Sequence, residues 1–151
     1  MIIQAGTRVP EFTLRRGDGS RFTQDDLTGK TTVFVFYPFA FSPVCTDQLN
    51  VYDEVLDELE AAGAVLYGVS CDATYSQTAF REQLGVRIEQ LSDFEPKGET
   101  CRAFGVYHPG GFPQRALVIV GPDAQVKWSY EAASPSELPG ANLIFDALAP
   151  V

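Results

Sequence analysis

The stretch TTVFVFYPFAFSPVCTDQL, Thr31 to Leu49, changes its hydrophobic pattern partway along. Its first seven residues, Thr31 to Tyr37, are all β-branched or aromatic, and such a run is typical of a strand buried on both faces. From Cys45 onward, apolar residues recur at helical spacing as far as Gly63. The stretch therefore predicts a buried strand, a proline-containing loop and a helix that begins near a cysteine.

A second buried strand is predicted directly after that helix, at AVLYGVS, Ala64 to Ser70. Strand, helix and strand in this order favour a parallel pair with a right-handed crossover. Further on, RALVIV, Arg115 to Val120, and AQVKWSY, Ala124 to Tyr130, flank a Gly-Pro-Asp turn, which is typical of an antiparallel hairpin. We therefore predict an α/β fold with a central mixed β-sheet flanked by helices.

The rest of the chain carries shorter periodic segments. They predict strands at Glu11–Leu14, Arg21–Phe22 and Glu89–Leu91 and helices at Ala73–Leu84, Glu95–Phe104 and Ser136–Leu148. No internal repeat, low-complexity segment or linker interrupts the 151 residues, a length that suits one domain. We therefore expect a single domain over residues 1–151.

Charge and hydropathy argue against two kinds of partner. Twenty acidic residues against eleven basic ones give a formal charge of -9, whereas nucleic acids and anionic membrane surfaces attract a basic face. No run approaches the about 18 apolar residues that span a bilayer, and the first residues, MIIQAGTRVPEF, lack the pattern of a signal peptide. We therefore expect a cytoplasmic protein that binds neither nucleic acid nor membrane.

Three widely spaced cysteines, Cys45, Cys71 and Cys101, are the candidates for chemistry. No CxxC or paired Cys/His spacing is present, so the sequence predicts no metal site and no cofactor. Cys45 follows the carboxyl end of a parallel strand, where such sheets bind ligands, and lies in the first turn of a helix, which favours a thiolate. These observations leave open whether Cys45 is a nucleophile or a small buried hydrophobe.

The segment PFAFSPVC, with Pro38, Ser42 and Cys45, resembles the P-x-x-x-[T/S]-x-x-C motif of the peroxiredoxins. The blocks GTRVPEFTL, YGVSCDATYSQTAF, LSDFEPKGETCRAFGV and RALVIVGPDAQV also resemble that family in order and spacing. In detail the chain is most similar to the alkyl hydroperoxide reductase E-like subgroup, which typically has one catalytic cysteine. The resemblance implies a thioredoxin-like fold and thiol-dependent reduction of hydrogen peroxide and organic hydroperoxides through a cysteine sulfenic acid.

The resemblance also implies roles for individual residues. Cys45 would attack the peroxide, Pro38 would shield the sulfur from water, and the Ser42 hydroxyl would orient the peroxide oxygens in place of the commoner threonine. Arg115 would stabilise the thiolate and the transferring oxygens, and Gln48 would bond that arginine. Because Arg115 precedes a strand, it can reach Cys45 only if that strand runs antiparallel to the first buried strand.

Reduction of the sulfenic acid needs a second thiol. Some family members carry a resolving cysteine five residues after the reactive one, but that position here is Asn50, and no cysteine follows the last predicted helix. We therefore expect a one-cysteine enzyme with an external thiol or a thioredoxin-like protein as reductant. Cys71, at the end of the neighbouring strand, and Cys101 remain alternative resolving cysteines.

Several further interpretations stay open at this point. Phe39 and Phe41 suit either an apolar entrance for organic peroxides or a dimer contact, and the resemblance implies a homodimer. A thioredoxin-type oxidoreductase lacks its second thiol here, and a Cys-His hydrolase would need His108, the one histidine, as its base. A non-enzymatic redox sensor or scaffold on the same fold is the remaining alternative.

Overall fold

Nine strands and five α-helices form the computed structural model, which describes residues 1–149. The strands are β1 (Thr13–Arg16), β2 (Arg21–Thr23), β3 (Thr31–Phe36), β4 (Ala64–Ser70), β5 (Glu89–Ser92), β6 (Tyr107–His108), β7 (Phe112–Pro113), β8 (Ala116–Val120) and β9 (Val126–Glu131). The helices are α1 (Pro43–Glu54), α2 (Leu56–Ala61), α3 (Thr74–Leu84), α4 (Glu99–Ala103) and α5 (Ala141–Leu148), with a 3₁₀ turn at Gln24–Leu27. Within residues 1–149, no helix has both the length and the apolar character that a membrane crossing requires.

Seven of these strands form one mixed sheet in the order β2-β1-β5-β4-β3-β8-β9. The predicted β-α-β unit is present, since β3 pairs in parallel with β4, and the predicted hairpin is present as the antiparallel pair β8–β9. Strand β8 runs antiparallel to β3, with Ala116 opposite Phe36. The start of β8 therefore lies beside the carboxyl end of β3. This is the antiparallel arrangement that Arg115 needs in order to reach Cys45.

The central strands alternate their side chains between two cores, because successive residues of a strand point to opposite faces. In β3, Val33 and Val35 join one core, whereas Phe34 and Phe36 join the other. The core that contains Val33 and Val35 is called the helix face. It also includes residues of α1, α2, α3 and α5, namely Leu49, Tyr52, Leu56, Leu59, Phe80 and Ile144. We call the second the aromatic face, which includes Phe12, Phe22, Phe34, Phe36, Tyr67 and Phe104.

The single helix predicted from Cys45 to Gly63 is wrong, because the helix breaks at Val55. Val55 has φ -112° and ψ 17°, and its N–H bonds to the carbonyl of Tyr52 instead of continuing the helical ladder. The apolar spacing does not reveal this break, since Leu56 and Leu59 still pack on the helix face after it.

Two other predicted helices begin later than expected. The helix predicted from Glu95 begins at Glu99, after Gly98 with its left-handed φ of 71°. The helix predicted from Ser136 begins at Ala141, because Pro139 lacks an N–H and its ring disfavours helical backbone in the residue before it. The β6–β7 hairpin was not predicted, since two residues per strand give no readable periodicity.

We expect Phe104→Ala to lower the free energy of unfolding by about 3–5 kcal/mol, the usual cost of removing a buried aromatic ring. The Phe104 ring centroid lies 5.6 Å from those of Phe34 and Phe36 and 5.7 Å from that of Phe12. Urea denaturation followed by circular dichroism measures the change. Phe94 is 54% exposed, so Phe94→Ala is the matched control and should change stability by less than about 0.5 kcal/mol. Equal effects of the two substitutions would contradict this description of the core.

Candidate active site

The loop between β3 and α1 brings Cys45 to the start of a helix. The Tyr37 N–H donates to the carbonyl of Val69, 3.0 Å away, so the loop leaves the sheet beside the end of β4. Phe41 has a left-handed φ of 70°, an unusual conformation for a residue with a side chain, at the turn that leads into α1. Cys45 is the third residue of α1, is completely buried and belongs to the helix-face core.

Pro38 and Ser42 lie on either side of this loop. Pro38 is buried, and both residues line one pocket above α1. Ser42 occupies the N-cap position of α1, yet its side chain makes no capping hydrogen bond. Its hydroxyl is therefore not committed to the helix, unlike that of a usual serine N-cap, and is free to bind a ligand in the pocket.

Arg115 contacts Cys45 directly. Its Nη2 lies 3.3 Å from the Cys45 Sγ, and its Nη1 donates to the Oε1 of Gln48. Its Nε donates to the carbonyl of Pro135 at 2.9 Å. Cys45 and Gln48 are three residues apart in α1 and so share one side of the helix, which lets a single guanidinium reach both.

The guanidinium of Arg115 is a buried charge, with only 3% of the residue exposed. Within residues 1–149, no carboxylate lies within 4.0 Å of it. A buried charge without a counterion is costly, and hydrogen bonds to neutral oxygens compensate for only part of that cost. The Cys45 sulfur, 3.3 Å from the Arg115 Nη2, is the remaining side-chain group in contact with this charge.

Tyr52 supports Gln48 from one turn further along α1. Its hydroxyl accepts a hydrogen bond from the Gln48 Nε2 at 3.1 Å and donates to the carbonyl of Pro139 at 2.6 Å. Burial raises the pKa of Tyr52 to about 12, so the hydroxyl keeps its proton at neutral pH. The sequence pattern identified Tyr52 only as an apolar helical position, although its spacing of four residues from Gln48 was a usable signal.

A pocket of about 300 Å³ opens onto this network. Its lining residues are Pro38, Phe39, Ser42, Pro43, Val44, Phe112, Arg115, Pro135 and Ser136. Apart from Ser42, Arg115 and Ser136, these side chains are apolar. Phe39 and Phe41 are each 48% exposed, and Phe39 packs against Phe112 with ring centroids 5.1 Å apart. A larger hollow of about 500 Å³, next to β1 and α4, contains none of the predicted site residues.

The other candidate residues lie in different surroundings. Cys71 and Cys101 are buried in the aromatic-face core, whereas Cys45 is in the helix-face core. His108 accepts the N–H of Gly110 at its Nδ1, 2.8 Å away, and stacks on Phe112 with ring centroids 4.4 Å apart. The structure therefore brings Pro38, Ser42, Gln48 and Arg115 to Cys45, but it does not bring the other two cysteines into that core.

The chain is similar in sequence and in fold to known proteins. Residues 5–129 match the model of the AhpC/TSA family. The chain is 28% identical over 150 residues to alkyl hydroperoxide reductase E of Mycobacterium bovis, covering 98% of this chain and 97% of that one. It is 30% identical over 128 residues to a peroxiredoxin of Thermotoga petrophila, covering 81% of this chain but only 60% of the relative. The crystal structure of Enterococcus faecalis AhpC has a TM-score of 0.86 and 28% identity, with 98% of this chain and 91% of that chain covered.

The chain is a thiol protein of thioredoxin-like fold. Its sheet is mixed, and Cys45 lies in the first turn of the helix that follows the central strand β3. The match over residues 5–129 is more specific, and the chain belongs to the AhpC/TSA family, the peroxiredoxins. The predicted fold and family are confirmed, and with the family comes the enzyme class, a thiol-dependent peroxidase.

We expect Tyr52→Phe to lower the free energy of unfolding by about 1–3 kcal/mol, because it leaves the Gln48 amide and the Pro139 carbonyl without their buried partner. The ring stays in place, so the packing changes little. Chemical denaturation measures the loss. Tyr75 is 89% exposed, and Tyr75→Phe, the same chemical change, should leave stability within about 0.5 kcal/mol. A Tyr52→Phe protein as stable as the unmodified one would show that this hydroxyl does not hold the network.

Proposed function

We propose that the chain is a one-cysteine thiol peroxidase in which Cys45 attacks the peroxide and Arg115, Ser42, Pro38 and Gln48 support that attack. The observation that carries this proposal is the 3.3 Å contact between the Arg115 Nη2 and the Cys45 Sγ at the start of α1. A buried cation and unpaired helical N–H groups both favour a sulfur that carries negative charge.

Ser42, Pro38 and Arg115 each have a separate role in the proposed reaction. The Ser42 hydroxyl is free of any capping bond and is able to donate to one peroxide oxygen and accept from the other. Pro38 is buried in the same loop, and we propose that it shields the sulfur with a ring that offers no N–H to water. Arg115 is held through its Nε and Nη1, so its remaining N–H groups stay aimed at the sulfur and at the oxygens that gain charge.

The reaction transfers one oxygen atom. The Cys45 thiolate attacks the nearer peroxide oxygen, the O–O bond breaks, and the leaving oxygen departs as an alcohol, or as water from hydrogen peroxide, after taking up a proton. Cys45 then carries a sulfenic acid. A thiol from the reductant attacks that sulfur to release water and form a mixed disulfide, and a second thiol restores Cys45 with formation of an external disulfide.

The lining of the pocket supports organic hydroperoxides as substrates beside hydrogen peroxide. Phe39, Phe112 and Val44 give the pocket an apolar wall, and its lining also includes Ser42 and Arg115, the residue that contacts Cys45. An alkyl group gains free energy by leaving water for such a wall, and the peroxide group then reaches Ser42 and Arg115.

The distribution of the thiols supports an external reductant. Cys71 and Cys101 pack in the aromatic-face core, so the sheet separates their side chains from Cys45. A disulfide requires Cα atoms within about 7 Å and side chains that point toward each other. A low-molecular-weight thiol or a thioredoxin-like protein is therefore the reductant that we propose.

We also propose a single domain, a cytoplasmic location and a homodimer. Both cores lie on one continuous sheet, which supports a single domain over residues 1–151, although residues 150 and 151 fall outside the described part. All three cysteines are unpaired, which suits a reducing, cytoplasmic compartment. The exposed rings of Phe39 and Phe41 support a homodimer that covers this rim.

We expect one equivalent of hydrogen peroxide to add one oxygen atom to Cys45 while Cys71 and Cys101 remain thiols. Rapid thiol blocking followed by non-reducing peptide mapping identifies the product, and added thiol should remove the oxygen. The Cys45→Ser protein is the control and should consume peroxide no faster than buffer. A disulfide from Cys45 to Cys71 or Cys101 would contradict the one-cysteine proposal, and undiminished turnover by Cys45→Ser would contradict the enzyme assignment.

We expect Arg115→Met to slow the reaction of Cys45 with peroxide by about 10²–10³-fold, the usual cost of removing a fixed donor from developing negative charge. Stopped-flow kinetics under single-turnover conditions measures the rate. Arg21, an exposed arginine on β2, provides the matched control, and Arg21→Met should retain the unmodified rate. If both variants react at the unmodified rate, Arg115 has no role in the chemistry.

A further inference from the structure

A second group of sulfurs lies on the aromatic face, away from Cys45. Cys71 comes directly after the last residue of β4, and Cys101 lies in α4. Their two sulfur atoms and one carboxylate oxygen of Asp93 all lie within 4.8 Å of one another, and all three residues are buried. The proposed Cys45 reaction uses none of these groups.

We propose that Cys71 and Cys101 form a second redox site, a dithiol that hydroperoxide oxidises to an intramolecular disulfide. A disulfide bond is about 2.05 Å long, so side-chain rotation has to close a sulfur separation that is no more than 4.8 Å. Two thiols held this close form a disulfide as soon as one of them is oxidised, because the second is already in position. This proposal does not rest on the role of Cys45.

Cys71 is the sulfur that an oxidant reaches first. It is 8% exposed and lines a pocket of about 340 Å³ together with Phe94 and Lys97. Pro38 and Phe39 line this pocket as well as the pocket beside Cys45, so the two openings share a wall. Cys101 has no exposed surface and can react only with a neighbour.

Asp93 is positioned to accept the proton of the Cys101 thiol. Its carboxylate accepts the backbone N–H groups of Cys101, at 2.8 Å, and Thr100, at 3.2 Å, and these bonds hold it against α4. The hydrogen bond with Cys71 and the burial of the site raise the pKa of Cys101 well above its usual value. Cys101 therefore keeps its proton in the reduced pair, which again assigns the first attack to Cys71.

The proposed reaction balances with hydroperoxide as the single oxidant. The Cys71 sulfur attacks one peroxide oxygen, the O–O bond breaks, and an alcohol leaves, so Cys71 becomes a sulfenic acid. The Cys101 sulfur then attacks Cys71 while its proton passes through Asp93 to the departing hydroxide, which leaves as water. Two thiols and one hydroperoxide give one disulfide, one alcohol and one water.

A cation site is the competing use of these atoms, and the geometry favours it less. The two carboxylate oxygens of Asp93 already accept backbone N–H groups. Structural zinc takes four ligands, and the group found within residues 1–149 offers three. A metal would also require Cys101 to lose its proton in a fully buried position.

The test uses the full chain carrying Cys45→Ser, so that Cys45 cannot take part. This protein retains two cysteines, and we expect excess hydrogen peroxide or cumene hydroperoxide to lower its free thiols, counted after denaturation, from two to none. Non-reducing peptide mapping should show residues 71 and 101 joined within one chain. Dithiothreitol should restore both thiols.

The control adds Cys101→Ala to Cys45→Ser, and the expected product is then a sulfenic acid on Cys71 that dimedone traps, with no linked peptide pair. Mapping of the Cys45→Ser protein tests the proposal even if the double variant folds poorly. Unchanged thiols, a sulfinic acid on Cys71 without a linked pair, or disulfides only between chains would each overturn it. Stoichiometric zinc in the isolated protein that protects both thiols from peroxide would overturn it as well.

Discussion

The buried charge of Arg115 is the constraint on which the architecture of the Cys45 site depends. Arg115 is only 3% exposed, so its guanidinium needs partners for its N–H groups, and the described part of the chain offers it no carboxylate within 4.0 Å. The carbonyl of Pro135 and the amide of Gln48 satisfy two directions, and Cys45 lies in the third. The Arg115 guanidinium is therefore held by two oxygen acceptors in a position that directs its Nη2 at the Cys45 sulfur.

This constraint extends into the surrounding fold. Arg115 reaches α1 only because β8 runs antiparallel to β3, so that the start of one strand lies beside the end of the other. The Gln48 amide is oriented in turn by Tyr52, whose hydroxyl bonds to the carbonyl of Pro139 in the segment before α5. Segments distant in sequence thus meet through a chain of directed hydrogen bonds, each of which is buried and therefore costly to leave unpaired.

The sequence revealed much of this arrangement and missed the parts that do not depend on residue type. The apolar runs at 31–37 and 64–70 predicted the central strands, and Pro38, Ser42 and Cys45 marked the loop, because burial and local geometry restrict which residues are acceptable there. Pro135 and Pro139 gave no signal as site residues, since they contribute backbone carbonyls that every residue has. The break at Val55 was hidden because both helices pack on the same face, so the apolar spacing continues across it.

The same alternation that builds two cores also separates the thiols, and the end of β4 is where their surroundings meet. Asp72 follows Cys71, and its carboxylate accepts the N–H of Ala40 in the Cys45 loop at 2.8 Å and the hydroxyl of Ser70 at 2.7 Å. Asp72 therefore joins the loop that carries the peroxidase motif to the backbone next to Cys71. Through this bond the Cys45 loop and the end of β4 are adjacent, even though Cys45 and Cys71 pack in different cores. A disulfide between Cys71 and Cys101 would restrain the backbone beside Asp72.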